Sequence, residues 1–210
     1  MQVLNLIQQQ RLLLKQVVTP AIGFIAVLVT TCFLVPVVHA STSERPDAEM
    51  RSLLHQTISE ADSFNDRFDA EVWLVDMDSR LRRYMKDPEE RFEFLRLVHR
   101  EARRVDLQPE LVLSVIHVES LFDRFALSRV GAQGMMQVMP FWKKEIGTKE
   151  DNLMDMTTNL RYGCTILKAY LKREKGNLIR ALARYNGSLG KTWYPERVFN
   201  AWEKYWFVKY

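Results

Sequence analysis

The stretch Leu111-Val112-Leu113-Ser114-Val115-Ile116-His117-Val118-Glu119-Ser120 decides how this chain is read. An apolar run opening at Pro109 predicts a helix, with proline at its first position. Glu119 then stands three, four and seven residues beyond Ile116, Val115 and Val112, so it projects from the apolar stripe. A carboxylate there is partly desolvated and close to the negative end of the helix dipole. Both effects favour the neutral acid and raise the pKa. A glutamic acid tuned up toward about 6 holds a proton near neutrality and can pass it to a leaving group. Glu119 is therefore the candidate general acid.

Upstream, the chain divides by composition. Arg11 and Lys15 are followed by no charged residue until Glu44, and the segment from Val17 to Val38 is apolar. Val38-His39-Ala40 has the small-x-small form of a signal cleavage site, which favours cutting before Ser41. The apolar segment is also long enough to span a bilayer as an uncleaved anchor. Either way residues 41–210 are expected to be exported, to the periplasm, soluble or held at the inner membrane. Cys32 lies within the apolar segment and reads as an ordinary membrane-segment cysteine. Cleavage would leave Cys164 alone, with no internal disulfide, and no Cys/His cluster offers a structural zinc site. The exported part must rest on its hydrophobic core and is long enough to build one.

The chain carries 30 Lys and Arg against 26 Asp and Glu. Without Arg11 and Lys15 the remainder is close to balanced, and its cations form no aromatic-interleaved stripe, which argues against nucleic-acid binding.

Helical periodicity continues on both sides of the deciding stretch. Ser41–Asp47 reads as a tether, and Met50, Leu53, Leu54, Ile58, Ala61 and Phe64 outline one helix. Leu74, Met77, Leu81 and Tyr84 outline a second. Asp87-Pro88-Glu89-Glu90 is a helix start, with an N-cap acid, proline at the first position and acids in the first turn. Downstream, Gly131-Ala132-Gln133-Gly134 predicts a tight turn. Helices are then expected over about 140–147, 157–174 and 177–184, and from about Pro195 through an aromatic-rich end holding Phe199, Trp202, Tyr205, Trp206 and Phe207. No repeat or strand alternation is evident. The expectation is a mostly α domain with at most a small β-hairpin.

Motifs around Glu119 extend this reading. Glu119-Ser120-Leu121-Phe122, then Ala126-Leu127-Ser128, then Gly131-Ala132-Gln133-Gly134-Met135-Met136-Gln137-Val138-Met139-Pro140 resembles the signature of lytic transglycosylase catalytic domains. That signature has the form E-S-x-F, a short spacer, and S-x-x-G-A-x-G-L-M-Q-x-M-P, with Met135 here replacing Leu. Asn159-Leu160-Arg161-Tyr162-Gly163 resembles the N-I-x-x-G helix of the same family, and Ala183-Arg184-Tyr185-Asn186-Gly187 resembles its A-x-Y-N-A-G element. Gly187 and Ser188 stand where the family more often has Ala and Gly. The resemblance covers about Val105 to Val198. It suggests a division into residues 1–40 (signal or anchor), 41–104 (N-terminal helical part), 105–198 (catalytic core) and 199–210 (aromatic-rich helix).

The resemblance implies a lysozyme-like single domain that cuts peptidoglycan between N-acetylmuramic acid and N-acetylglucosamine. One glutamate acts as acid and then base while the muramic C6 hydroxyl closes on C1, leaving a 1,6-anhydro end. No metal or cofactor is implied. Substrate-assisted glycosidases dispense with a second carboxylate, which suits a lone Glu119. Tyr185 is placed near the acid, within reach of it or of the substrate N-acetyl group. Ser128, Gln137 and Asn186 become polar contacts and Met139 a groove residue. Plainer roles remain open for each. Tyr185 reads equally as a half-buried aromatic, Ser128 and Asn186 as caps or turn formers, Gln137 as a structural amide, and the methionines as core. His117 reads as structural, and Asp123 has no role in the family pattern. The implied partner is the glycan strand, with membrane association through residues 17–38 and a possible tie to unidentified cell-envelope machinery. A goose-type muramidase on the same fold and a non-catalytic wall-binding or assembly module are the alternatives.

Overall fold

Asp87 shows how directly local chemistry sets the first helix boundary. In the computed structural model, which describes residues 67–208, its carboxylate accepts the backbone N–H groups of Glu89 (2.8 Å) and Glu90 (3.3 Å), and Pro88 fills the first helical position. A cap of this kind contributes about 1 kcal/mol. The expected leader or anchor, Cys32, the tether and the helix over Met50–Phe64 lie outside the described residues.

The order of elements is α1 (Arg67–Leu81), α2 (Pro88–Arg104), α3 (Pro109–Ser120), a short α4 (Trp142–Ile146), α5 (Met156–Arg173), α6 (Leu178–Tyr185) and α7 (Trp193–Ala201). A π-helical turn, Trp202–Trp206, follows directly. Asp155 and Asn177 cap α5 and α6 through their side chains, accepting from Thr158 and Arg180. Among the described residues pairing is limited to two isolated antiparallel bridges, Leu127 with Gln133 and Gln133 with Val138. The expected mostly α fold therefore holds, with the hairpin reduced to bridges. Among the described residues no helix is long and apolar enough to cross a membrane.

Helix α3 is central. Leu111 through Ile116 are buried in succession, so the helix has no solvated face over that span, as expected of a core helix. It packs on α2, α7 and the π-helical turn, while α5 and α6 pair beside it. Ser114 sits in this interior at no cost because its hydroxyl donates to the Glu110 carbonyl at 2.6 Å. The helix expected through Tyr84 is α1, and it ends at Leu81. Tyr84 instead lies in the following turn, packed against Phe122 and His117.

Two buried acids tie helices together. Asp78 accepts from Arg91 Nε at 2.6 Å, and the same guanidinium donates to the Met85 and Lys86 carbonyls, fixing the α1–α2 turn. Glu101, fully buried, holds Arg104 at 2.8 Å and Arg161 at 3.3 Å, joining α2 to α5. Burial pushes the Glu101 carboxyl up, but its arginine hydrogen bonds and charges outweigh this and leave it below the usual range. Asp78→Ala strands the buried Arg91 charge and is expected to cost about 3–5 kcal/mol. Chemical denaturation measures this, and an unchanged unfolding midpoint would contradict the assignment.

Candidate active site

The site begins where α3 stops. Its C-cap, Leu121, is left-handed (φ 53°), and so is Phe122 (φ 69°). Two successive non-glycine residues in this region are strained by about 1–2 kcal/mol each. Burial of the Phe122 ring against Phe94, Tyr84 and Trp206 holds the turn in place. The reversal leaves Glu119 and Ser120 at the wall of an open cleft of about 730 Å³, shared with His117, Ser128, Gln137, Arg197 and Lys204 among others. Among the described residues Glu119 is the one acid that lines the cleft.

The facing loop is assembled by side chains as much as by backbone. Ser120 Oγ donates to the Met135 carbonyl at 2.8 Å, pinning the loop one residue from Glu119. Asn159, buried in α5, accepts from the Met136 N–H (2.8 Å) and donates to the carbonyls of Gln133 (2.9 Å) and Leu153 (2.8 Å). Gly134 is required here. Its φ is +72°, and a Cβ would lie 2.4 Å from Asn159 Nδ2 and 2.6 Å from the Leu153 carbonyl. Gly163, one turn beyond Asn159, leaves room for the Met136 side chain. The Asn159…Gly163 spacing thus has a physical reason: the amide clamps the loop and the glycine admits its methionine.

Glu119 has its proton affinity raised, as its position in the sequence suggests. Burial pushes its pKa up to about 7, against an opposing pull from the Tyr194 hydrogen bond and the Arg197 charge. Tyr194 Oη donates to Glu119 Oε1 at 2.5 Å. A carboxyl in this state can give and retake a proton near neutrality.

The expected neighbours are arranged as follows. Tyr185 is half-buried, but its hydroxyl donates to the Met136 carbonyl at 2.7 Å and not to Glu119. The tyrosine on the acid is Tyr194. Ser128 lines the cleft while closing its own turn, accepting the Ala132 N–H on Oγ at 2.9 Å. Gln137 also lines the cleft, and its amide nitrogen is used structurally, donating to the carbonyls of Gly134 and Ala126. Met139, Tyr185 and Asn186 are not among the lining residues, and Asn186 is the C-cap of α6. Asp123 accepts the Phe125 N–H in a local turn and does not line the cleft. His117 is structural: Nδ1 accepts the Trp206 indole N–H at 3.1 Å, which places the ring proton on Nε2 facing Tyr84 Oη at 3.4 Å. Burial and then the Arg83 charge lower its pKa and keep it neutral.

Tyr194 and Arg197 carry no signal in the sequence. They open an aromatic helix 75 residues or more from Glu119, and only the packing of α7 on α3 brings them to it.

Asn159→Ala would leave the buried Met136 N–H and the Leu153 carbonyl without the amide that pairs them, while the Gln133 carbonyl keeps the Val138 N–H, at about 1–3 kcal/mol for an unsatisfied group. The expected result is a lowered unfolding midpoint with faster hydrogen exchange at Met136. Unchanged protection there would contradict the clamp.

Comparison with known proteins is consistent with this geometry. The family described as "Transglycosylase SLT domain" matches residues 96–205. A transglycosylase of Enterobacteria phage PRD1 is 38% identical over 82 residues, 39% of this chain and 30% of that protein. Membrane-bound lytic murein transglycosylase C of Actinobacillus pleuropneumoniae serotype 5b (strain L20) is 42% identical over 48 residues, 23% of this chain and 13% of that protein. The aligned region therefore spans less than a third of either relative. Among solved structures, an inactive mutant of lytic transglycosylase Slt from Pseudomonas aeruginosa aligns with a TM-score of 0.41 and 21% identity, covering 72% of this chain and 33% of that one. With more than half of its 210 residues inside the match, this chain belongs to the transglycosylase SLT domain family.

Proposed function

We propose that this protein is a peptidoglycan lytic transglycosylase, with Glu119 as the acid and then the base. One observation carries the reading: a carboxyl with a pKa near 7 stands in an open cleft, the only acid among the described residues that line it. Membership of the family and the names of its relatives support the substrate class.

Neutral Glu119 gives its proton to the glycosidic oxygen between N-acetylmuramic acid and N-acetylglucosamine. The C1–O bond breaks with its electron pair going to that oxygen, and the substrate's own N-acetyl oxygen stabilises the cationic C1. Glu119, now a carboxylate held by Tyr194, removes the C6 hydroxyl proton as O6 bonds to C1. The acid is restored, the 1,6-anhydro ring is closed, and no water is consumed. One carboxyl serving both steps needs a pKa close to working pH, which burial opposed by Tyr194 and Arg197 supplies. Ser128 and Gln137 are the polar wall against the sugar in this reading. Tyr185 acts through the Met136 loop, and Asn186 and Met139 support the surrounding surface.

The apolar segment 17–38 and a relative named as membrane-bound support a place in the cell envelope. Within it, we assign the domain to the periplasm, released or anchored.

Digestion of purified sacculi with analysis of glycan ends by mass spectrometry tests the reaction. Anhydro ends are expected. Reducing ends without anhydro ends would make the protein a muramidase, and sacculus binding without any release would make it a wall-binding module. Glu119→Gln should lower turnover by about 10²–10⁴-fold, the usual contribution of general acid–base catalysis. Because the free enzyme must enter as the neutral acid, kcat/KM should fall as pH rises through about 7. A profile falling from about pH 4.5 would contradict the assignment of that acid to Glu119.

A further inference from the structure

Beyond the Glu119 cleft lies a second concavity of about 610 Å³, lined by Ser79, Arg80, Arg82, Arg83, Lys204 and Tyr205. Lys204 and Tyr205 line both, so the two concavities adjoin. Among the described residues no acid lines this second concavity. Its inner wall is built by the end of α1 and the turn after it, residues 79–83, which precede the family match at residue 96. The basic surface thus combines residues before the family match with Lys204 and Tyr205 inside it.

The four cations are not equivalent. Arg80 is committed, with two contacts to Asp76 (2.8 and 2.7 Å) and donation to the Tyr205 and Phe207 carbonyls (2.9 and 3.1 Å). It holds α1 against the C-terminal turn. Arg82 shares Asp78 with the buried Arg91, so that carboxylate is divided between two guanidiniums. Arg83 is exposed and lies over the rings of Tyr84 (4.9 Å) and Tyr205 (4.5 Å), and Lys204 lies over Tyr205 at 5.2 Å. Among the described residues neither has a carboxylate partner. Stacking fixes the plane of Arg83 and leaves its donor edge available, an arrangement suited to a carboxylate.

We propose that this groove binds the carboxylates of the peptides carried by the glycan strand. The inference rests on the peptidoglycan reading of the Glu119 cleft. In that polymer the sugars themselves are uncharged, and acid groups belong to the peptides attached at the lactyl group of N-acetylmuramic acid. A cationic groove adjoining a glycan cleft therefore meets its counter-charge on the peptide. Arg83 and Lys204 take the carboxylates, and the Tyr205 ring lies along the chain between the two concavities.

Binding without turnover separates this claim from the reaction. The full chain carrying Glu119→Gln is titrated calorimetrically with a soluble muropeptide and with the same glycan stripped of peptide, at low and high salt. The peptide-bearing ligand should bind about tenfold more tightly, the worth of one charge-assisted hydrogen bond. High salt or a further Arg83→Ala change should abolish that advantage, and Arg83→Lys should keep part of it. Affinity for the bare glycan should be the same with and without the Arg83 change. Equal affinity for both ligands, or equal loss of both in Arg83→Ala, would overturn the proposal. Competition by a phosphodiester polymer as strong as that by the muropeptide would also overturn it, marking a general polyanion surface. Failure of the wild type to release anhydro ends would remove the reaction and leave this preference to be judged by its own measurement.

Discussion

A helix buried along its length has to end, and in this protein the end carries a carboxyl. The core packs around α3 from Leu111 to Ile116, so its last turn emerges where water is already largely excluded. Glu119 is held there with its neutral form favoured. Ionising it in the folded state costs free energy that the unfolded chain does not spend. By linkage, that part of the stability is present while Glu119 is protonated and is lost as pH rises from its ordinary value toward about 7. The same feature that makes Glu119 a usable acid therefore weakens the fold, and the surrounding hydrogen bonds have to offset it.

Those bonds form a connected set around the cleft. Ser120 and Tyr185 both fasten the loop carrying Met135 and Met136, through donation to two successive carbonyls. Asn159 fastens the same loop from the other side, and Gly134 allows the approach. Each polar group at this junction has a partner, which is the condition under which a buried polar network stabilises a fold. Opposite the loop, the π-helical turn rotates Trp206 into the core, where it bonds His117, and leaves Tyr205 on the cleft wall. Such wide turns are frequent at functional sites.

Much of this architecture was legible in the residues. Asp87-Pro88 marked a helix start because a cap acts within three residues of itself. The apolar run before Glu119 announced a buried helix, and the raised pKa followed from position alone. The Ser128–Pro140 motif and Asn159…Gly163 were recognisable because their contacts demand particular residue types at set spacing. Less local features were not legible. Tyr185 and Tyr194 are two tyrosines of similar context, and only tertiary packing decides that the second meets the acid while the first meets a carbonyl. The left-handed pair Leu121–Phe122 violates local preference, and the aromatic residues that compensate, Tyr84, Phe94 and Trp206, come from three separate elements. Tyr84 was readable as an apolar position but not as a residue of the turn. Its ring is placed by His117 and Arg83, not by helical spacing.

The account turns on the state of a single proton. Titration of the Glu119 side-chain carboxyl by carbon NMR, in the wild type and in Tyr194→Phe, measures it without reference to any substrate. The account predicts a wild-type midpoint at about 7 and a higher one in Tyr194→Phe, because the lost hydrogen bond stabilises the carboxylate. A wild-type midpoint near the ordinary value of 4.5, or a downward shift in the variant, would contradict it.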